Sequence, residues 1–223
     1  CSSDLILSNT MHVALVKGDL KNEESAFVRV HIQNTIRDIL HSSHHSGWPL
    51  KNAMQRINNE GDGVILQSPV FFEFRMVVKS NDRVVAKNPL KLVDGKYQID
   101  FDDLEAKATD PKNKVLILCN PHNPVGRVWT KAELEEIAEI CKCHNVFVIA
   151  DEIHGDFALP PYRYTPYLTI SENAAQNSAA CLSPAKTFNI AGAVDAITII
   201  PNETHRHNFH NFAHRYQINK VNV

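Results

Sequence analysis

Three short runs of polar residues in this chain have the types and the order needed for chemistry. They occupy residues 119–126, 150–154 and 183–189. Each run directly follows an aliphatic or β-branched stretch, where a strand of an open α/β sheet would end and where such sheets bind ligands. The runs contain an amide, a carboxylate and a lysine amine, namely Asn123, Asp151 and Lys186. A lysine amine can form a Schiff base with an aldehyde, and a carboxylate can keep a pyridine nitrogen protonated, so the trio predicts a site for pyridoxal phosphate.

An α/β fold must position these side chains. Strand-like and helix-like signals alternate between residues 61 and 200, which is typical of a mainly parallel sheet covered by helices. We predict strands at residues 64–68, 114–119, 146–150 and 196–200. Thr130 and Glu133 have the spacing of a capping box, and apolar residues recur after them at helical spacing, so a helix is predicted between the second and third strands. A further helix is predicted at residues 204–216.

The motifs resemble those of the fold-type I aminotransferase superfamily, and within it the cystathionine β-lyase or C–S lyase subgroup. The resemblance is carried by NPHNPVGRVW at residues 120–129, DEIH at residues 151–154 and KTFNIAG at residues 186–192. His154 is the discriminating residue, since ordinary aminotransferases usually carry a tyrosine there.

The resemblance covers residues 61–223 and implies part of the large, pyridoxal-phosphate-binding domain of the aspartate aminotransferase-like fold. We expect the C-terminal small domain to be absent, and with it the arginine that grips the substrate carboxylate in the family. Residues 1–60 are expected to form a poorly recognisable, helical N-terminal segment. The family's phosphate-binding turn would lie there, and residues 46–49 (Ser-Gly-Trp-Pro) are the candidate for it.

The resemblance implies catalytic and cofactor-binding roles for Lys186 and Asp151. Lys186 would hold the cofactor and serve as the catalytic base, and Asp151 would pair with the pyridine nitrogen. Taken alone, Lys186 would more often be a solvated loop lysine, and Asp151 could be a helix N-cap at a strand end. The resemblance favours the catalytic interpretation of both.

Four further residues match cofactor-binding positions of the family. Asn123 and His154 would hydrogen-bond at or near the phenolic oxygen of the cofactor, and Ser183 would bind the phosphate. Phe71 would stack on the ring. The plainer interpretations are a turn residue for Asn123 and a core phenylalanine for Phe71.

The implied activity is that of a pyridoxal-phosphate-dependent carbon–sulfur β-lyase, which cleaves a cysteine S-conjugate to a thiol, pyruvate and ammonia. Two alternatives remain open. One is a class I/II aminotransferase on the same cofactor, and the other is a non-catalytic fragment or remnant of the fold. Transfer of the amino group to a keto acid without release of thiol would distinguish the first alternative from the lyase.

The composition limits the kinds of partner that the chain is expected to bind. The 23 basic and 25 acidic residues nearly cancel, so no strong field attracts nucleic acid or an anionic membrane. We find no apolar run of the roughly 20 residues that span a bilayer and no signal peptide at the start of this sequence. The five cysteines are irregularly spaced, which favours a reduced, cytoplasmic setting. The expected partner is a small amino-acid substrate, and the resemblance implies a homodimer.

Two histidine-containing clusters invite other interpretations. His207, His210 and His214 have helical spacing, but no acidic or cysteine ligand accompanies them, so no metal site is predicted. The serines and histidines at residues 42–45 could be drawn into a hydrolase triad, but no nucleophile-elbow glycines surround a serine. A polar loop is the better interpretation of that stretch.

Overall fold

Strands with apolar residues on both faces form the centre of the fold. The computed structural model describes residues 61–190 and 196–215. The strands are β1 Gly63–Leu66, β2 Val84–Lys87, β3 Lys91–Val93, β4 Lys96–Gln98, β5 Asn113–Cys119, β6 Phe147–Asp151, β7 Ser178–Leu182 and β8 Ile197–Ile199. The α-helices are α1 Phe72–Ser80, α2 Phe101–Thr109, α3 Lys131–Cys143, α4 Glu172–Gln176, α5 Pro184–Thr187 and α6 Glu203–Arg215. Short 3-10 helices cover Gly155–Phe157 and Tyr167–Thr169.

Six of the strands form one mostly parallel sheet in the order β2-β1-β5-β6-β7-β8. The first five are parallel, and β8 runs antiparallel to β7. Parallel strands need crossover connections, and helices supply most of them here. The predicted fold class, a mainly parallel but mixed sheet covered by helices, is confirmed.

The period of two along each strand divides the core into two layers. Ile117 and Ile149 face the layer that contains residues of α1 and α6, whereas Leu116 and Val148 face the layer built with α2, α3 and α4. Because both faces are covered, the central strands are apolar almost throughout. Polar side chains therefore lie at the ends of these strands.

Helix α3 begins with the capping box predicted from the sequence. The Thr130 hydroxyl accepts a hydrogen bond from the Glu133 backbone N–H at 3.2 Å, and the Glu133 carboxylate accepts one from the Thr130 N–H at 2.7 Å. The same carboxylate also pairs with the Arg127 guanidinium, which lies 4.7 Å above the Trp129 ring. This arrangement joins the start of α3 to the turn that follows β5.

The observed bounds shift some predictions and add elements. Strand β1 ends at Leu66, two residues earlier than predicted, whereas β6 extends to include Asp151. The hairpin β3–β4 was not predicted, although Asp94 and Gly95 between its strands, with φ of 49° and 74°, are typical of a tight hairpin turn. The predictions for residues 1–60, including the phosphate-binding turn at residues 46–49, lie outside the described residues.

Candidate active site

The predicted site residues all follow neighbouring strands of the parallel sheet. They are Phe71, Asn123, Asp151, His154, Ser183 and Lys186. Phe71 follows β1 and Asn123 follows β5. Asp151 and His154 lie at the end of β6 and in the turn after it, and Ser183 and Lys186 follow β7. Because these four strands are adjacent and parallel, their carboxyl ends form one edge of the sheet. The fold therefore gathers at one edge residues that are up to 115 positions apart (186 − 71) in the sequence.

Asp151 is the most buried of these groups. It is the last residue of β6 and is 3% exposed. Its side chain lies on the same face of the sheet as that of Ile149, two residues earlier. Its carboxylate accepts a hydrogen bond from the Ile153 backbone N–H at 3.3 Å. Burial raises the pKa of Asp151 to about 7, although the Ile153 N–H and the positive charge of Lys186 both act to lower it. A carboxylate in this setting is costly to ionise unless a cation pairs with it.

Lys186 lies on the short helix α5 directly after β7. Ser183 caps this helix, its hydroxyl accepting from the Ala185 N–H at 3.1 Å, and Pro184 occupies the first turn. Lys186 is half-buried and lies close enough to Asp151 and His154 for its charge to lower the pKa of both. The structure thus brings the predicted lysine and the predicted carboxylate to the same place.

A hydrogen bond joins α5, the helix that contains Lys186, to the turn after β6. The Thr187 hydroxyl donates to the Asp156 carboxylate at 2.7 Å across 31 residues of sequence. His154 lies in that turn, half-buried, with its ring 6.2 Å from the Phe157 ring centroid. Burial, followed by the charge of Lys186, lowers the pKa of His154, so its imidazole is neutral at neutral pH.

Asn123 lies in a tight turn that follows β5. The turn is closed by the His122 N–H, which donates to the Arg127 carbonyl at 2.7 Å, and by Gly126 at φ 71°. The Asn123 backbone N–H donates to the Cys119 sulfur at 3.4 Å. The Asn123 side chain is half-buried at the same sheet edge as Asp151.

Phe71 precedes α1 and packs against the core at this edge. Its ring centroid lies 5.6 Å from that of Phe74 in an edge-to-face arrangement. The core role considered for Phe71 is therefore present in the structure, and its stacking on a cofactor stays a prediction.

Buried polar residues beside the site were missed in the sequence. His122 is 1% exposed and its Nε2 lies 3.0 Å from the Pro69 carbonyl, which joins the turn after β5 to the end of β1. The Asn120 amide lies between the Trp129 N–H, from which it accepts, and the Thr165 carbonyl, to which it donates. Their signal was their place in a polar run after a buried strand, and only tertiary contacts show that they support the turn.

Glu152 faces away from this chemistry and holds a loop. It is 2% exposed and accepts a hydrogen bond from the Tyr167 N–H at 2.7 Å. Burial raises the pKa of Glu152 to about 7. Its contact with Tyr167 fixes the long connection between β6 and α4.

These residues fit pyridoxal phosphate. The buried Asp151 carboxylate needs a cationic partner to stay ionised at neutral pH, and a protonated pyridine nitrogen supplies one. Lys186 lies at the same edge with an amine that can bind an aldehyde. Within residues 61–190 and 196–215, no group of three or more His, Cys, Asp or Glu side chains is arranged to hold a metal ion.

A mostly parallel sheet with a lysine and a buried carboxylate at its carboxyl edge is typical of α/β proteins of the aminotransferase-like class. A model of the family described as aminotransferase class I and II matches residues 49–216, well over half of the chain. The chain belongs to this family.

Curated relatives of the chain include a protein named as a lyase. Cystathionine β-lyase PatB of Bacillus subtilis is 44% identical over 160 residues, which cover 72% of this chain and 41% of the relative. Protein MalY of Escherichia coli is 37% identical over 160 residues, covering 71% of this chain and 40% of the relative. The resemblance stated from the motifs is confirmed. The chain spans about two fifths of the length of these relatives.

Solved structures agree on the fold. Cystalysin from Treponema denticola, whose structure contains pyridoxal 5'-phosphate, superposes with a TM-score of 0.71 at 30% identity, over 92% of this chain and 53% of that one. The pyridoxal-phosphate-bound C–S lyase from Staphylococcus hominis gives a TM-score of 0.67 at 29% identity, over 78% of this chain and 42% of that one. Both neighbours hold the cofactor that the residues of this site fit.

A second family model matches the start of the chain. The GTP cyclohydrolase II model covers residues 5–69 and overlaps the aminotransferase match at residues 49–69. This match was not predicted from the motifs, and it falls mainly on residues before 61, where the resemblance to lyases fades. In the described part of the chain, every helix is too short or too polar to cross a membrane.

Proposed function

We propose that this chain supplies the cofactor-binding core of a pyridoxal-phosphate-dependent carbon–sulfur β-lyase. The observation that carries the proposal is the buried Asp151 carboxylate at the end of β6, with Lys186 near it at the same sheet edge. The substrate class is a cysteine S-conjugate such as cystathionine, which would yield a thiol, pyruvate and ammonia. The names of two relatives, cystathionine β-lyase PatB of Bacillus subtilis and a putative cystathionine β-lyase of Mycobacterium leprae, support a lyase of this kind.

When bound, pyridoxal phosphate supplies an electron-accepting ring that stabilises negative charge at the α carbon of the substrate. The protein's part is to hold that ring and to move one proton. The Asp151 carboxylate would keep the ring nitrogen protonated, because in a buried site an ion pair is stronger than in water. The His154 imidazole and the Asn123 amide would hydrogen-bond at or near the ring oxygen.

Lys186 has two tasks in this proposal. Its Nζ would hold the cofactor through the aldehyde. When a substrate amine took its place, the free Nζ amine would be positioned to accept the α proton of the substrate. Loss of that proton and of a thiolate from the β carbon, followed by addition of water, would account for the thiol, pyruvate and ammonia.

The test uses the chain loaded with pyridoxal phosphate. Borohydride reduction followed by peptide mapping should place the label on Lys186, and Lys186→Ala should lose it. Lys131→Ala is the matched control, since Lys131 is a lysine on the solvent side of α3, 66% exposed, and should leave the label unchanged. Label on another lysine, with none on Lys186, contradicts the proposal.

An aminotransferase is the second candidate, and the class I and II family match favours it. His154, which stands where ordinary aminotransferases usually carry tyrosine, supports the lyase instead. Incubation with cystathionine and a keto acid distinguishes the two. Release of thiol with pyruvate identifies a lyase, whereas transfer of the amino group to the keto acid with the C–S bond intact identifies an aminotransferase.

We also infer that the working protein is a homodimer in the reducing cytoplasm. Phe188, two residues after Lys186, is 67% exposed, and Leu159 in the connection after β6 is 73% exposed, and a second copy could cover such apolar side chains. Cys119, Cys141, Cys143 and Cys181 are free thiols, which supports a reducing compartment. Analytical ultracentrifugation tests the dimer, and a monomer at micromolar concentration would contradict it.

A further inference from the structure

Two thiols flank the Asp151 carboxylate within the sheet. The parallel register places Cys119 of β5 opposite Asp151 of β6, and Asp151 opposite Cys181 of β7. Neighbouring strands lie about 4.8 Å apart, and residues opposite each other share a face. Cys119 and Cys181 belong to the same core layer as Ile149, two residues before Asp151, so all three side chains of this row share one face.

The Cys119 thiol also holds the turn that carries Asn123. It donates to the Pro121 carbonyl and accepts from the Asn123 backbone N–H, both at 3.4 Å. Cys119 is 1% exposed, and burial together with the charge of Asp151 raises the pKa of its thiol, so it remains a neutral S–H group able to donate. One side chain therefore contacts the Asn123 turn while it borders the carboxylate.

We propose that Cys119 is a positioning residue, whose thiol fixes the Asn123 turn relative to Asp151 so that the Asn123 amide and the Asp151 carboxylate can contact one cofactor together. This inference rests on the proposed function. Sulfur suits the task because both of its contacts are 3.4 Å long, beyond the roughly 2.5–3.2 Å of hydrogen bonds between nitrogen and oxygen atoms. A serine would have to draw the turn inward or lose one of the two bonds.

Cys181 provides the matched control. It is the equivalent thiol on the other side of Asp151, equally buried in the same layer, and it hydrogen-bonds to Thr198 on β8. Removing it also takes a thiol from beside the carboxylate but leaves the Asn123 turn untouched. Any effect of Cys119→Ala that Cys181→Ala lacks therefore comes from the turn.

The first measurement needs no cofactor. Hydrogen exchange of the Asn123 amide, resolved by NMR in the cofactor-free chain, should accelerate on the order of tenfold in Cys119→Ala, because one hydrogen bond is lost. Cys181→Ala should leave that rate within twofold of the parent. Cys119→Ser should fall between the two, and it keeps the test available where the alanine variant does not fold. Equal rates in the Cys119 and Cys181 variants overturn the inference.

The second measurement uses the loaded chain. Visible absorbance of lysine-bound pyridoxal phosphate is titrated with pH, and a weaker Asn123 contact at the ring oxygen should raise the midpoint by roughly half a pH unit in Cys119→Ala alone. An unchanged midpoint overturns the positioning role. Absence of any lysine-bound cofactor in the parent chain overturns the proposed function instead, and the amide exchange still decides whether Cys119 holds the turn.

Discussion

Asp151 combines a functional advantage with a cost to folding. The residue is 3% exposed, and its carboxylate accepts a backbone hydrogen bond at 3.3 Å, so the described residues replace little of the water lost on burial. A cationic ring nitrogen would relieve this cost. A cationic ligand would thus stabilise the buried carboxylate more than the folded chain does.

The pKa of Asp151 leads to a stability prediction. Its folded pKa of about 7 lies above the ordinary value of 3.8, so between these pH values the folded chain binds more protons than the unfolded chain and stability falls as pH rises. Asp151→Asn removes this penalty. It should stabilise the cofactor-free chain at pH 8 by up to about 4 kcal/mol and leave stability at pH 4 nearly unchanged.

Urea unfolding at the two pH values measures the effect. Asp82→Asn is the control, since Asp82 is exposed and its φ of 59° suits asparagine equally well. A destabilised Asp151→Asn chain at pH 8 would show that the carboxylate is well compensated inside the protein.

The same residue should control chemistry. Asp151→Ala removes the charge that keeps the ring nitrogen protonated in a buried site, so elimination should slow by several orders of magnitude while pyridoxal phosphate still binds. Thiol release measures the rate, and visible absorbance measures cofactor content. Near-normal elimination by a cofactor-loaded alanine variant would exclude the electron-sink role of Asp151.

At the scale of the elements, those with a complete local sequence pattern were predicted. Those whose position depends on pairing with a distant strand were not. Strand β5 and helix α3 were predicted because an aliphatic run and a capping box are complete within a few residues. Strand β7 reads Ser-Ala-Ala-Cys-Leu, and its small side chains carry little strand preference. Its place comes from pairing with β6, which no local pattern contains.

The same distinction holds for the candidate site. Lys186 and Asp151 could be predicted because each is a charged residue after an apolar run, within a motif of a known family. Cys119 could not, because a cysteine that ends an aliphatic strand is indistinguishable from a core residue. Only the register with β6 shows that its thiol borders a carboxylate.

Helix α3 permits a test of how its start is held. The Glu133 carboxylate caps the Thr130 N–H and pairs with Arg127, so Glu133→Ala should lower the free energy of unfolding by about 1–2 kcal/mol. Glu135→Ala on the same helix breaks only an exposed pair with Lys131 and should cost less than about 0.5 kcal/mol. Urea denaturation measures both, and equal losses would contradict the role given to Glu133.

At the scale of the whole molecule, the chain contains part of what its relatives contain. It spans about two fifths of their length, and its first residues match a model of another family. No arginine was assigned to the substrate carboxylate, and the predicted phosphate-binding turn at residues 46–49 lies outside the described residues. The non-catalytic alternative therefore remains a prediction for these 223 residues.

Activity should rise when segments of PatB outside the matched 160 residues are added. Correct positioning of a substrate can supply on the order of 7–11 kcal/mol of rate enhancement, so a substrate contact supplied only by those segments should change turnover far more than cofactor binding. We expect the 223-residue chain to release pyruvate from cystathionine slowly, and a version extended at both ends with the matching segments of PatB to be much faster. Equal rates from the two proteins would refute this.

The division of the sheet into apolar interiors and polar ends also bears on how such a protein can evolve. Residues 147–150 of β6 are almost wholly buried, and the first reactive side chain comes only at position 151. A change of reaction can then arise from substitutions in the connections after β5, β6 and β7, which leave both core layers intact. One inherited framework can in this way be retained while selection alters the chemistry at its edge.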